Sequence, residues 1–279
     1  MYAFVLIDFG DKITYLEYEL YFLLNLRENT KYDICYLYSI HDTPKKFVNT
    51  IKKLNVKTIG YDDKAVTYNI PFESGYEHFN TLRTCNFMYA LQLTQYQKIC
   101  ILESDMVILK NIDSIFNCKS PSVFYSMNRN NMMKNNTNYE LTIDQNKSLL
   151  NCKKGSPING GVIVIEPSLK TFDLLKKNIK KVIKNQCSYP NETLLISTIS
   201  PLYNVPIQYN FSHYRFRNIQ KFGDISILHY NQTIYKPLKV IQNKYNVKDK
   251  IKSKFIQIYK KNVYEKYKEK VNILLKNNF

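Results

Sequence analysis

Along the N-terminal third of the chain, short apolar runs alternate with stretches whose apolar positions recur at helical spacing. Residues 2–9 are rich in Val, Ile, Leu and Phe and read as a first strand. Asp8, Phe9, Gly10 and Asp11 make the turn that follows, and residues 13–26 carry a helical pattern. A second strand pattern spans 33–40. Thr43-Pro44 then opens a helix, with proline at its first position, that runs to 54. Residues 56–61 read as a third strand. The order β-α-β-α-β predicts a parallel sheet covered by helices. A further helix is expected over 75–93, with Phe79, Leu82, Asn86, Tyr89 and Leu93 on one face.

That helix delivers the chain into a buried apolar run, 99–102, which stops at two carboxylates one residue apart. Glu103 and Asp105 flank the small Ser104, and a second apolar run, 106–109, follows at once. An unpaired buried carboxylate is expensive, so two of them at a strand's carboxyl end call for a cation or a polar ligand. Open α/β sheets place their ligands at that end. An isolated acid-x-acid is more often a solvated turn, so the flanking sequence has to decide.

Residues 126–156 are rich in Asn, Lys and Met with little periodicity. They read as a long loop, either a lid or binding loop or a surface insert. Order returns at Ile158-Asn159-Gly160-Gly161, ahead of a β-branched run. Two glycines there allow backbone to come close to a ligand or to a neighbouring strand. Ser168 is placed to cap a helix running to 184. Pro190-Asn191-Glu192-Thr193 starts another helix, and 225–228 is a final strand ending at His229, with Lys236-Pro237 beyond. From Ile251, apolar residues recur every four positions through Phe255, Tyr259, Val263, Tyr267, Val271 and Leu275 on a lysine-rich helix. The stripe suits either a membrane-surface or acidic-partner helix, or a terminal helix packed on the domain; the packed reading is preferred.

At 279 residues and 44% hydrophobic, the chain can bury a real core and fits one large domain or a domain with an appendage. The division expected is an α/β domain over 1–243 and a basic amphipathic tail over 244–279. No apolar run approaches the roughly 18 residues of a membrane span. The first residues, with Asp8 and Asp11 and no basic flank, read as a strand and not as a signal peptide. Cys35, Cys85, Cys100, Cys118, Cys152 and Cys187 are scattered singly, which predicts reduced structural thiols and a cytoplasmic setting. In so Asn-rich a chain, Asn-x-Ser/Thr triplets such as those at Asn191 and Asn210 are put down to chance. The net charge of +17 is uneven: after residue 243, eleven lysines face three acids. The surplus elsewhere suits an anionic small molecule as well as a nucleic acid.

Four landmarks stand in a fixed order: the acidic pair after a strand, Asn-Gly-Gly-Val before one, Asn-Glu-x-Leu-Leu, and His followed by Lys-Pro. In this the chain resembles the glycogenin-like glycosyltransferases, family 8 of the retaining nucleotide-sugar enzymes. The likeness spans residues 2–240 and is densest at 93–116 and 158–168. It implies a GT-A fold, a Rossmann-like mixed central sheet flanked by helices, here with a basic C-terminal helical extension. It also implies transfer of a hexose from a nucleoside diphosphate sugar, a UDP-sugar in most such enzymes, with retention at the anomeric carbon. Asp105, Glu103 and His229 would hold a divalent cation, and an imidazole in the set leans toward Mn²⁺ over Mg²⁺. Lys236 would reach the diphosphate, Asn159, Gly160, Gly161 and Ser104 would lie beside the donor, and Leu6, Asp8 and Phe9 would hold uracil and ribose.

The sequence departs from the family pattern at several points. Glu103 stands where the family has Asp. Asn191 takes the position of a carboxylate near the anomeric carbon, with Glu192 beside it as the other candidate for the catalytic role. Arg83 is the stand-in for a Lys in the helix before the acidic pair. Asp144-Gln145 mimics the carboxylate segment but precedes Asn159, the wrong order. The partners expected are the donor, an acceptor (a glycan, a protein or one of the chain's own tyrosines), an anionic surface against the tail, and a second copy in a homodimer.

Two rival readings stay open at this point. A sugar-nucleotide nucleotidyltransferase shares the topology but needs a Gly-rich basic loop after the first strand, which Asp8-Phe9-Gly10-Asp11 does not supply. A basic module binding nucleic acid or anionic membrane rests on the tail and leaves Glu103, Asp105 and His229 without a role. Deleting 244–279 is expected to abolish the second activity while a transferase still hydrolyses its donor slowly.

Overall fold

The computed structural model of the chain describes residues 1–8, 13–62, 83–125, 158–184, 190–212, 225–230, 241 and 250–277. Phe9, Lys236, Asp144-Gln145, the 126–156 loop and the start of the expected 75–93 helix lie outside these residues. The elements in chain order begin with β1 (Tyr2–Ile7), α1 (Ile13–Glu28), β2 (Asp33–Ser39), α2 (Lys45–Lys52) and β3 (Lys57–Tyr61). A 3₁₀ segment (Arg83–Gln92), β4 (Lys98–Leu102), β5 (Met106–Ile108), β6 (Ser122–Tyr125) and β7 (Ile158–Ile165) follow. Next come α3 (Leu169–Lys184), α4 (Pro190–Thr198), β8 (Tyr203–Asn204), β9 (Phe211–Ser212) and β10 (Ile227–His229). The chain closes with α5 (Lys250–Tyr259), a π-helical turn (Lys260–Tyr264) and α6 (Glu265–Lys276).

Seven strands form one sheet in the order β3-β2-β1-β4-β7-β6-β8, and β5-β10-β9 form a second. Strands β1 to β4 are mutually parallel, as the β-α-β-α-β order predicts; β7 runs antiparallel between β4 and β6, and β8 is parallel to β6. The result is the expected mixed α/β sheet flanked by helices. Helices on both faces make the central strands continuous apolar runs. Phe4, Leu6, Tyr36 and Leu102 face α1 and the tail, while Ala3, Val5, Leu37 and Ile101 face the 3₁₀ segment, α3 and α4. The reversal of β7 positions the site, because Leu102 pairs with Val162 and Leu6 pairs with Leu102. The first residues of β7 therefore meet the carboxyl ends of β1 and β4 on one edge.

One local expectation changes and another holds. The 75–93 helix is 3₁₀ where it is described, and every residue from Cys85 to Leu91 is buried. The sheet, α3 and α4 all press on it, so burial on every side replaces the single apolar face that the spacing predicted. Ser168 does cap α3: its hydroxyl oxygen accepts the Thr171 N–H at 3.3 Å.

The tail is packed. Phe255, Tyr259, Val263, Tyr267 and Val271 are all buried in the core that also holds α1. Tyr230, next to His229, packs its ring at a tilt against Phe255 with centroids 4.3 Å apart and donates its hydroxyl to the Phe255 carbonyl at 2.8 Å. A stripe at intervals of four drifts by about 40° per step around a regular α-helix. The π turn at Lys260–Tyr264 takes up the surplus and keeps Val263, Tyr267 and Val271 on the core. Among the described residues no helix is long and apolar enough to cross a membrane.

Candidate active site

Glu103, Ser104 and Asp105 turn the chain from β4 into β5, at the carboxyl edge of the parallel strands. The Glu103 N–H donates to the Gly161 carbonyl at 3.1 Å, which ties this turn to β7. Strand β5 then pairs antiparallel with β10, with His229 opposite Met106, and the Tyr230 N–H donates to the Asp105 carbonyl at 3.0 Å. Sequence-distant residues are thereby brought together: one ligand atom each from Glu103, Asp105 and His229 lies within 4.8 Å of the others. His229 Nε2 is 3.1 Å from Glu103 Oε2 and 3.2 Å from Asp105 Oδ1. Neighbouring donors around a small divalent cation with bonds of about 2.1 Å lie about 3 Å apart, so these two edges fit such an ion as they stand. Two carboxylates and one imidazole form a donor set that suits a divalent metal.

His229 is 1% exposed. Its burial by itself favours the neutral ring, but Asp105 first and Glu103 next outweigh it and raise the pKa to about 10. In the metal-free protein this pairing is therefore fully stabilising below about pH 6.5, the unfolded value. The contribution is lost as pH rises through about 10. Urea unfolding in EDTA is expected to show the gap between wild type and His229→Asn shrinking from about pH 7 to about pH 10.5. A gap that does not change with pH would contradict this assignment.

The two glycines of β7 serve opposite faces. A Cβ on Gly161 would lie 2.3 Å from His229 Cε1 and 2.9 Å from Met106 Cε, so the imidazole occupies the space a side chain would need. A Cβ on Gly160 would meet the Asn191 amide nitrogen at 3.1 Å and Glu192 Cγ at 3.3 Å. The Gly160 N–H donates to Glu192 Oε1 at 2.8 Å, and the Gly161 N–H to Asn159 Oδ1 at 3.2 Å. Gly161→Ala is expected to displace the buried ring, with an overpacking cost of about 1–3 kcal/mol. Gly160→Ala, against a side-chain amide at the edge of contact, is expected to cost less. Paired urea titrations check the order.

The remaining candidates fall as follows. Asn159 is half-buried at the start of β7, on the face that Gly161 opens toward His229. Asn191 and Glu192 start α4 on the other face, Glu192 buried and Asn191 half-buried. Asp8 follows β1 and is buried; its oxygens accept the Tyr36 hydroxyl at 3.0 Å and the Thr43 hydroxyl. Leu6 lies wholly in the core, between Tyr36 and Leu102. Arg83 begins the 3₁₀ segment, its side chain outside the described residues. Reading the sequence alone misses Asn210, whose amide touches both His229 and Asn159. The available signal was a lone polar residue between the apolar Tyr209 and Phe211.

A mixed sheet with an acid-bearing carboxyl edge is the architecture of the GT-A glycosyltransferases, and the chain has that fold. The galactosyltransferase LgtC, solved with donor and acceptor sugar analogs, matches with a TM-score of 0.58 at 11% identity, over 84% of this chain and 88% of that one. No protein-family model matches the chain. In sequence it is similar to an uncharacterized protein of Acanthamoeba polyphaga mimivirus, 27% identical over 243 residues, which cover 85% of this chain and 82% of that protein. A stretch of 92 residues, 33% of the chain, is 33% identical to putative UDP-glucuronate:xylan alpha-glucuronosyltransferase 3 of Arabidopsis thaliana, 10% of that protein's length.

Proposed function

We propose that the protein is a metal-dependent, retaining hexosyltransferase of the glycogenin-like family 8, using a UDP-linked donor. The observation that carries this reading is the meeting of Glu103, Asp105 and His229 at the carboxyl edge of a GT-A sheet. The UDP-glucuronate in the name of the Arabidopsis protein supports a uridine donor. The cation, Mn²⁺ before Mg²⁺, would stabilise the negative charge that grows on the diphosphate as the glycosidic bond breaks.

The chain's own residues bind and orient. Glu103, Asp105 and His229 would hold the cation. Asn159 presents its amide nitrogen toward the donor, while Glu192 pins the Gly160 backbone beside it. That bond leaves Asn191, the more open of the two, as the side chain facing the sugar. By resemblance Lys236 serves the diphosphate, Asp8 and Phe9 the uridine, and Ser104 and Arg83 the donor's surroundings, while Leu6, wholly in the core, supports that edge from behind. The acceptor hydroxyl oxygen bonds to the anomeric carbon on the face from which the diphosphate oxygen departs. Its proton passes to the leaving diphosphate.

Cys35, Cys85, Cys100 and Cys118 are buried cysteines with a role in packing, which accords with a reducing, cytoplasmic setting. The face we assign to an anionic surface is the outward one of the tail, with Lys254, Lys261, Lys268 and Lys270, since the core holds its apolar stripe.

A thermal-shift panel of UDP-glucose, UDP-galactose, UDP-xylose and UDP-glucuronate tests the reading, with UDP as control. Ligand binding to the native state raises the melting temperature by mass action, and a rise with at least one donor, dependent on Mn²⁺, is expected. No metal-dependent shift with any donor in a folded sample overturns it. Retention is read by NMR of the product's anomeric centre, and net inversion would overturn that part alone.

A further inference from the structure

Behind the acidic pair runs a chain of hydrogen bonds whose direction is fixed at one end. The Gly161 backbone N–H can only donate, so the Asn159 atom it meets at 3.2 Å is the amide oxygen. The Asn210 atom 2.7 Å from that oxygen must in turn be a donor, the amide nitrogen. Asn210 then turns its own oxygen to His229, 2.8 Å from Nδ1, and an oxygen there accepts only if Nδ1 carries a proton. One backbone N–H thus sets the orientation of two amides and the position of one imidazole proton. With Nδ1 protonated, Nε2 is the nitrogen turned to Glu103 and Asp105. Asn159, its oxygen held by two donors, is left with its NH₂ group directed away from them, on the His229 face of β7.

We propose that Asn210 is a positioning residue of this site, holding His229 with Nε2 toward the carboxylates and Asn159 with its NH₂ toward the donor. The assignment rests on the sugar-transfer reading for its second half only. Asn210 is 1% exposed and immediately precedes β9, the short strand paired with β10. Such partners of a metal-holding imidazole typically change metal affinity by about 10–100-fold when removed.

Two variants separate the halves. Asn210→Ala removes both bonds. Asn210→Asp keeps an acceptor for His229 but sets an oxygen against the Asn159 oxygen. In metal-free protein at pH 7, where the ring carries both protons, long-range ¹H–¹⁵N NMR of the four histidines is expected to show a slowly exchanging, hydrogen-bonded Nδ1 proton on His229 in wild type and in Asn210→Asp, and one that exchanges much faster in Asn210→Ala. Free Mn²⁺ measured by electron paramagnetic resonance is expected to show binding weakened about 10–100-fold in Asn210→Ala and near wild type in Asn210→Asp. Asn210→Asp is expected to lose the shift given by the best UDP-sugar of the panel while keeping that of UDP.

A folded Asn210→Ala whose Nδ1 proton exchanges as slowly as in wild type and whose Mn²⁺ affinity is that of wild type overturns the proposal. So does an Asn210→Asp protein whose Nδ1 proton exchanges as fast as in Asn210→Ala. An Asn210→Asp protein that binds the UDP-sugar as wild type does removes the Asn159 half. If wild type binds no donor at all, it is the transfer reading that fails, and the NMR measurement still decides the His229 half.

Discussion

Asp105→Asn is expected to lower sugar transfer by about 100- to 1,000-fold, since a cation's charge stabilisation is worth several kcal/mol and each 1.36 kcal/mol is about tenfold. The amide keeps the shape of the side chain and its backbone carbonyl bond to Tyr230, so the fold should hold. What is lost is one of two negative charges facing His229 Nε2. The Mn²⁺-dependent thermal shift should disappear with the activity. Glu103→Gln should do less, because the Glu103 side chain is 33% exposed against 12% for Asp105, and water can replace more of what it supplies. Transfer by Asp105→Asn at the wild-type rate would remove the metal from the mechanism.

The second large effect concerns stability. A chain ending at residue 243 is expected to lose cooperative unfolding altogether. Phe255, Tyr259, Val263, Tyr267 and Val271 are buried almost completely, and burying a large apolar side chain is worth about 1.5–3 kcal/mol. Together they reach about 10 kcal/mol, the size of a whole domain's net stability of about 5–15 kcal/mol. Truncation would also bare the face of α1 they cover and strip Tyr230, the residue next to His229, of its ring partner Phe255. Circular dichroism during a thermal ramp checks this, with a dye for exposed apolar surface. A truncated chain that melts cooperatively and still shows a donor shift would make the tail an appendage. Deletion of 244–279 therefore cannot separate a transferase from a binding module, as the sequence suggested. Reversing the charge of Lys254, Lys261 and Lys270, which point outward, is the cleaner cut.

How legible each part was depended on whether its cause was local. Strands β1, β2 and β4 read correctly because strands covered on both faces are written as unbroken apolar runs, while the half-exposed edge strand β3 was marked by its place in the β-α-β alternation. Thr43-Pro44 and Ser168 mark helix starts by their own chemistry, with Pro44 at the N-cap of α2 and not at its first position. The acidic pair showed itself as a violation of such a run. Strands β6, β8 and β9, two to four residues each, had no such signature and exist because of the strands beside them, β7 for β6, β6 for β8 and β10 for β9. Asn210 was hidden for the same reason, since its partners lie 19 and 51 residues away. The roles of Gly160 and Gly161 were half legible. Two glycines before a strand announced close approach, but only the fold shows that one makes room for His229 and the other for Asn191 and Glu192.

The π turn in the last helix makes that helix one residue longer than its buried stripe requires. Insertions and deletions are usually confined to loops, because inside a helix each one rotates everything downstream by about 100°. Here the surplus residue is already absorbed. A chain lacking Lys261, the exposed residue of that turn, would close into a regular α-helix with Val263, Tyr267 and Val271 still on the core. The tail thus carries a site where length can change by one without loss of register, and an alignment of related chains would place its gap inside this helix.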